Sequence, residues 1–362
     1  KINYCCKEHF LFIKGISNVE TKLNYNKMLN NLLNICTKLL SFIIKNEFDA
    51  YIDLLNLLIC ESSPCLIELM LKNVFIENLN IKNRIFKAAM IENCFLQNDR
   101  ITEEAYNYYE KLSREGTSII FTAGTIVSPS LIYGKVGTFR IDKDDYIEDF
   151  KKLTNLVHKN NANILLDLYH PGTLIVNKAD KAYGPSNLRH PYLNENSKEL
   201  TKEDILKIED DFEKGAIRAK KAGFDGIEIH AAHLTLLSQF LSPAFNKRND
   251  EYGGNDENRA RIIVEIIEKI RKSVGNDFII SIKLNCRDGI ENGIRKEGFI
   301  TACKLIEKAG ADIIQVSSDF NHQPQNNIPY FLSQTEEIAD IVNIPVVLVG
   351  GIRNYEIIEK VL

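Results

Sequence analysis

From about residue 73 onward, short apolar runs alternate with longer stretches in which apolar positions recur every three or four residues. The runs are RIFKAAM, SIIFTAG, NILLDLY, GIEIH, FIISIKL, DIIQVSS and PVVLVGG. Between them lie DYIEDFKKLTNLVHKNN, TKEDILKIEDDFEKGAIRAKKAG, DENRARIIVEIIEKIRKSV and GFITACKLIEKAG. Compact apolar runs bounded by turn residues read as buried strands, and the 3.6-residue period reads as helices with one apolar face. Strand followed by helix, repeated, predicts parallel strands joined by right-handed crossovers. Seven such units predict an α/β fold, a (β/α)8 TIM barrel lacking its eighth βα unit. An open doubly wound sheet is the weaker alternative, because no G-x-G-x-x-G turn follows RIFKAAM.

Residues 1–70 have a different texture, rich in Leu, Ile, Asn and Lys. Leu29, Leu32, Leu33, Cys36, Leu40 and Ile43 mark one helix face, and YIDLLNLLIC follows before a break at Ser62-Ser63-Pro64. The expected organisation is a helical extension over 1–70, an add-on or partner-binding piece, and a barrel over 73–362. The chain starts at Lys1 rather than Met and stops at Leu362, just past the seventh run. A fragment of a longer protein is therefore expected, with the seventh strand leaving an open edge beside the first.

Composition narrows the partners. With 44% hydrophobic and 26% charged residues the chain falls in the ordinary globular class. Its net charge of −4 gives no general attraction for nucleic acid or anionic lipid. The longest apolar candidate, MLNNLLNICTKLLSFII, is interrupted by Asn30, Asn31, Asn34 and Lys38, short of the roughly 20 apolar residues a membrane span needs. Eight scattered cysteines contain no C-x-x-C pair, so neither a zinc knuckle nor a dithiol motif is present. No signal-peptide pattern opens the chain, and a reducing cytoplasm is the expected compartment.

In a barrel, ligand-binding side chains sit at the C-terminal ends of the strands. That rule selects Ala89 and Met90, Gly124 and Thr125, Asp167 with Tyr169 and His170, His230 and His233, Lys283 and Asn285, Ser317 and Ser318, and Gly350 and Gly351. Strand alternation puts Asp167 and Tyr169 on one side, facing inward. The stretch HAAHLTLLSQFLSP carries two imidazoles three residues apart. They hold a metal, grip a substrate oxygen, or cap a turn. A zinc site would draw on His170 and Asp167 as further ligands, which keeps a metal-dependent hydrolase open as an alternative.

NLNIKNRIFKAAM, HAAHLTLLSQFLSPAFNKRNDEYGGNDENRARI, IKLNCRDG and VGGI, in this order, resemble the landmarks of the old yellow enzyme family of FMN-dependent NAD(P)H oxidoreductases. The resemblance spans roughly residues 73–362, and His230 to Arg261 is its most specific stretch. It implies FMN as cofactor, NADH or NADPH as reductant, and a small-molecule acceptor such as an electron-poor alkene. It implies that His230 and His233 donate hydrogen bonds to the substrate oxygen, stabilising the enolate that hydride transfer creates. It places Ala89, Met90, Gly124 and Thr125 along the flavin, Lys283 near flavin N1 and O2, and Gly350 and Gly351 around the FMN phosphate. Arg248, Asp250 and Arg259 fit loop-pinning charges better than catalysts.

Two positions depart from the family. The tyrosine that protonates substrate carbon in many relatives is Thr235 here, a far poorer proton donor, which leaves Tyr169 or solvent as the acid. The glutamine at the flavin pyrimidine edge is Asp167, which when ionised only accepts hydrogen bonds. A non-catalytic remnant or interaction protein with weak flavin binding, acting through the N-terminal segment, is the rival reading.

Overall fold

The computed structural model describes residues 10–14, 74–76, 79–90, 96–97, 100–128, 139–174, 182–188, 196–318, 329–352, 357–358 and 361. All seven predicted runs are strands. With an N-terminal strand β1 (Phe10–Lys14) they become β2 (Phe86–Lys87), β3 (Ile119–Phe121), β4 (Asn163–Tyr169), β5 (Gly226–Ala231), β6 (Ile279–Asn285), β7 (Ile313–Ser317) and β8 (Val346–Val349). Strands β2 to β8 pair in parallel, each with the next in sequence. Helices α1 (Glu103–Arg114), α2 (Ile147–His158), α3 (Lys202–Lys221), α4 (Leu236–Leu241), α5 (Asp256–Val274), α6 (Lys296–Ala309) and α7 (Leu332–Ala339) fill the crossovers.

The eighth stave overturns an expectation. Strand β1 lies antiparallel between β8 and β2, with Leu11 opposite Val349 on one side and Phe86 on the other. The ring of pairings is thereby closed, and the edge expected to stay open is occupied. Residues 10–14 thus form a strand within a segment expected to be helical; the helical stretches around Leu29–Ile43 and YIDLLNLLIC lie outside the described residues. The physical reason is that FLFIK joins aromatic and β-branched residues suited to a pleat, and β8 and β2 offer it unpaired backbone groups.

Local chemistry sets the helix limits. The Thr102 hydroxyl accepts from Ala105 N–H to start α1, and Thr201 with Asp204 forms a capping box on α3. The Asn255 side chain caps α5, and Gly310, at φ +102°, ends α6 in the left-handed conformation that glycine tolerates. The helices pack through Ile262, Ile263, Ile266 and their neighbours on the outer strand faces. Inside the cylinder a second apolar cluster joins Phe86, Ile119, Phe121, Leu165, Ile279, Ile313 and Val347. Ile76 and Ile81, from a hairpin of Val74–Ile76 and Leu79–Ile81, complete this floor. No helix among the described residues is long and apolar enough to cross a membrane.

Candidate active site at the barrel mouth

Above the apolar floor the inward positions turn polar. Side chains alternate along a strand, so those that share the face of Leu165, Ile279 and Ile313 are Asp167 and Tyr169, Ser281, Lys283 and Asn285, and Gln315 and Ser317. Register completes the layers: Asp167 lies beside Glu228 and Glu228 beside Ser281, while His230 pairs with Lys283 and Lys283 with Gln315.

Lys283 and Glu228 form an ion pair inside the cylinder, Nζ to Oε2 3.2 Å, with both side chains essentially removed from solvent. Gln315 Nε2 donates to the other carboxylate oxygen at 2.9 Å, and Ser281 Oγ donates to it at 3.4 Å. Lys283 Nζ also stands 3.5 Å from the Ala89 carbonyl oxygen at the end of β2. Burial pushes Glu228 up to about 7, with Lys283 pulling against it. Glu228 and Gln315 were missed in the sequence, although Glu228 is two residues before His230 and so shares its face.

The two imidazoles do not stand side by side as donors to one oxygen. They lie in series. His230 Nδ1 is 2.9 Å from Asp167 Oδ2, His230 Nε2 is 3.1 Å from His233 Nδ1, and His233 Nε2 is 2.9 Å from Ser317 Oγ. The turn behind β5 makes this possible: His233 and Leu234 both have φ +59°, a left-handed conformation that costs non-glycine residues energy. It is held from both sides, since His233 N–H donates to Asn285 Oδ1 at 3.0 Å and Gln239 Nε2 donates to the Leu234 carbonyl at 2.6 Å. Burial and the Lys283 charge hold both imidazoles well below the ordinary histidine range, so both rings are neutral.

Other predicted residues divide between rim and scaffold. Tyr169 meets the His230 ring edge-on at 5.8 Å, and Gly124 lies against Tyr169 and Asp167. Ala89 and Met90 are partly buried at the β2 end. The Thr125 hydroxyl, expected along the flavin, donates to the Ala123 carbonyl at 3.0 Å, because the strand end leaves that carbonyl within reach. The Thr235 hydroxyl is likewise engaged by the carbonyls of His230 and Ala232, at 3.2 and 2.8 Å. Gly350 and Gly351 have φ +80° and +76°, and a Cβ on either would press into Tyr330 or Pro329. Their close approach to that segment is by itself reason for glycine.

His170 Nδ1 accepts from Gly172 N–H at 3.1 Å, and burial pushes its pKa down to about 3. Arg248 binds Asp250 through two nitrogens and donates to the carbonyls of Pro185 and Leu200, pinning its loop.

The residues at the mouth fit a flavin ring. Among the described residues the Asn285 Nδ2 donor and the Gln315 Oε1 acceptor are buried without a hydrogen-bond partner. Leaving such atoms unpaired costs roughly 1–3 kcal/mol each. Asn285 follows Lys283 by two residues on β6 and Gln315 is the register neighbour of Lys283 on β7, so these strand ends offer a donor, an acceptor and a cation to a polar ring edge of alternating carbonyl and N–H groups.

Residues 71–361 match the model of the NADH:flavin oxidoreductase / NADH oxidase family. A protein named NADH oxidase from Thermoanaerobacter brockii is 34% identical over 297 residues, 79% of this chain but 46% of the relative. A protein named NADPH dehydrogenase from Bacillus velezensis is 32% identical over 292 residues, 79% of this chain and 85% of the relative. The chain therefore spans about half the length of the first of these relatives. The solved old yellow enzyme homologue from Zymomonas mobilis superimposes with a TM-score of 0.67 at 24% identity, covering 76% of this chain and 81% of that one, and shares the barrel fold.

Proposed function

The chain belongs to the NADH:flavin oxidoreductase / NADH oxidase family, the old yellow enzymes, and from that membership we propose that it binds FMN at the barrel mouth and passes hydride from NAD(P)H to an electron-poor alkene or a similar small acceptor. The observation that carries the reading is the meeting of the imidazole pair of β5 and the ammonium of β6 at one rim, where His230 and Lys283 are register neighbours. Lys283, Asn285, Gln315 and the strand ends at Ala89 and Gly124 would hold the ring edge. Bound there, FMN supplies hydride transfer, accepting a hydride from the nicotinamide and giving it to the acceptor.

The remaining work falls to the chain. Lys283 supplies positive charge where reduction of the ring adds electrons, inside a cavity where charge is weakly screened. The outer end of the imidazole series, Ser317 backed by His233, grips the acceptor oxygen, while His230 stands behind and orients His233. Tyr169 walls the site beside His230. The expected physiological form is a small-molecule enzyme, with NADH or NADPH as reductant.

Two measurements test this. Protein loaded with FMN should retain it through gel filtration and be reduced anaerobically by NADH or NADPH. H233A should then reduce an enone about 100-fold more slowly or worse, the cost of disabling one oxyanion donor. A parent protein that retains no FMN, or an H233A protein that turns over enones as fast as the parent, would reject the proposal.

A further inference from the structure

The four groups Asp167, His230, His233 and Ser317 form an unbroken series from the middle of the cylinder to its rim, with steps of 2.9, 3.1 and 2.9 Å. A neutral imidazole has one N–H and one lone pair, so the direction of any one bond in the series fixes all the others. Only two arrangements are self-consistent. With Asp167 ionised, His230 Nδ1–H donates inward to the carboxylate, His233 Nδ1–H donates to His230 Nε2, and Ser317 O–H donates to His233 Nε2. With Asp167 protonated, every bond reverses: Asp167 O–H donates to His230 Nδ1, His230 Nε2–H to His233 Nδ1, and His233 Nε2–H to Ser317 Oγ. The hydroxyl hydrogen of Ser317 is then released outward.

We propose that this series is the proton relay of the reaction, with Asp167 as its proton store and Ser317 as the group that hands a proton to the acceptor oxygen. The inference rests on the reading of the mouth as the site where a hydride acceptor binds. In the forward step the Asp167 O–H bond breaks as a bond to His230 Nδ1 forms. The His230 Nε2 proton passes to His233 Nδ1, the His233 Nε2 proton to Ser317 Oγ, and the original Ser317 proton to the substrate. One proton leaves Asp167 and one arrives on an oxygen anion; no electrons move in the relay. The hydride delivered to carbon by the reduced cofactor creates that anion from a conjugated carbonyl compound, and the product is an enol that reverts to the carbonyl form in water. The scheme needs no acid over the carbon, which agrees with the engagement of the Thr235 hydroxyl by two carbonyls.

Asp167 is suited to hold that proton. The charged and titratable groups facing it are Lys87 on β2, Glu228 and His230 on β5, and Lys283 on β6. Burial outweighs the two ammonium groups and lifts Asp167 to about 7. Glu228, raised to the same range, titrates against the Lys283 ammonium it contacts, whereas the Asp167 carboxyl lies against neutral imidazole and is the one joined to the series. Asp167 acts through His230 and so is a positioning and proton-storing residue, while Ser317 touches substrate.

Nitrogen-15 spectra of histidine-labelled, cofactor-free protein read the imidazole tautomers directly, between about pH 5.5 and about pH 8.5, a window that brackets the Asp167 titration. His230 and His233 should both carry hydrogen on Nε2 at the acid end and on Nδ1 at the alkaline end, switching at one shared midpoint. D167N should hold both rings in one tautomer across the window, and D167E should restore the switch at a shifted midpoint. S317A should keep the switch but slow acceptor reduction at least 10-fold. Rings that keep one tautomer in the parent, midpoints that differ, an unaltered switch in D167N, or full-speed S317A would each overturn the relay. Because the spectra require no cofactor, a protein that fails to bind FMN would count against the proposed function and leave the tautomer result standing.

Discussion

Replacing Lys283 by Met lowers the unfolding free energy by roughly 3–5 kcal/mol at about pH 8, and by much less at about pH 5. The magnitude follows from what is left behind. Glu228 is fully buried and 3.2 Å from Nζ, so the variant strands a carboxylate in a cavity of low dielectric. The pH dependence follows from the direction of its shift. The Glu228 pKa is raised in the folded protein from 4.5 to about 7, so the folded state takes up a proton between those values and stability falls as pH rises through them. Without Lys283, the main opposing charge, the Glu228 pKa climbs further, and each added unit costs about 1.4 kcal/mol at pH values above it. Near pH 5 the carboxyl is protonated in both proteins, and the parent then carries an ammonium with no ionised partner, which narrows the gap.

The double variant E228Q/K283M separates this account from a general packing defect. An amide oxygen at that position still accepts from Gln315 Nε2, so most of the loss at about pH 8 should return. Urea unfolding at the two pH values, for both variants, measures it. An equal loss from K283M at both pH values, or no rescue by E228Q, would show that the pair is not a coupled charge.

The barrel was legible because it is written locally. Strands β3 to β7 each lie between two helical segments, and their apolar runs need nothing beyond their neighbours in sequence to be recognised. Lys283 and His230 were legible too, because a polar residue closing an apolar run is conspicuous. The series arrangement of the imidazoles was not, since it depends on two left-handed residues, His233 and Leu234, whose identities carry no signal for that conformation. Asp167 was expected against a flavin edge, yet both its oxygens turn to His230, a partner set by the parallel register of β4 and β5. Ser317 sat in the right place by the strand-end rule, but only its 2.9 Å approach to His233 gives it a role. Strand β1 was illegible for a different reason. Its partners, Val346–Val349, lie more than 300 residues away, and no local pattern names them.

Deleting residues 1–14 should open the cylinder, and its consequences reach beyond the five residues of β1. The strand pairs with four residues of β8 and two of β2, and each ladder bond is worth roughly 0.5–1.5 kcal/mol net. A loss of several kcal/mol is a large part of the roughly 5–15 kcal/mol that keeps a domain folded. The deletion also exposes two edges at once, β8 and β2, with unpaired N–H and C=O groups on each. Free edges recruit strands from other molecules. The shortened protein should therefore melt at least about 10 °C lower and form concentration-dependent oligomers, seen by light scattering on gel filtration. A peptide containing FLFIK, added in excess, should restore the monomer by supplying the missing stave in trans, as strand-addition complexes do. If the shortened chain keeps its melting temperature and stays monomeric, β1 closes nothing, and the pairing of Leu11 with both Val349 and Phe86 contributes no stability. The peptide is the sharper arm, because loss of stability alone follows from many deletions, whereas rescue by five residues of one sequence requires that this sequence fit between these two edges.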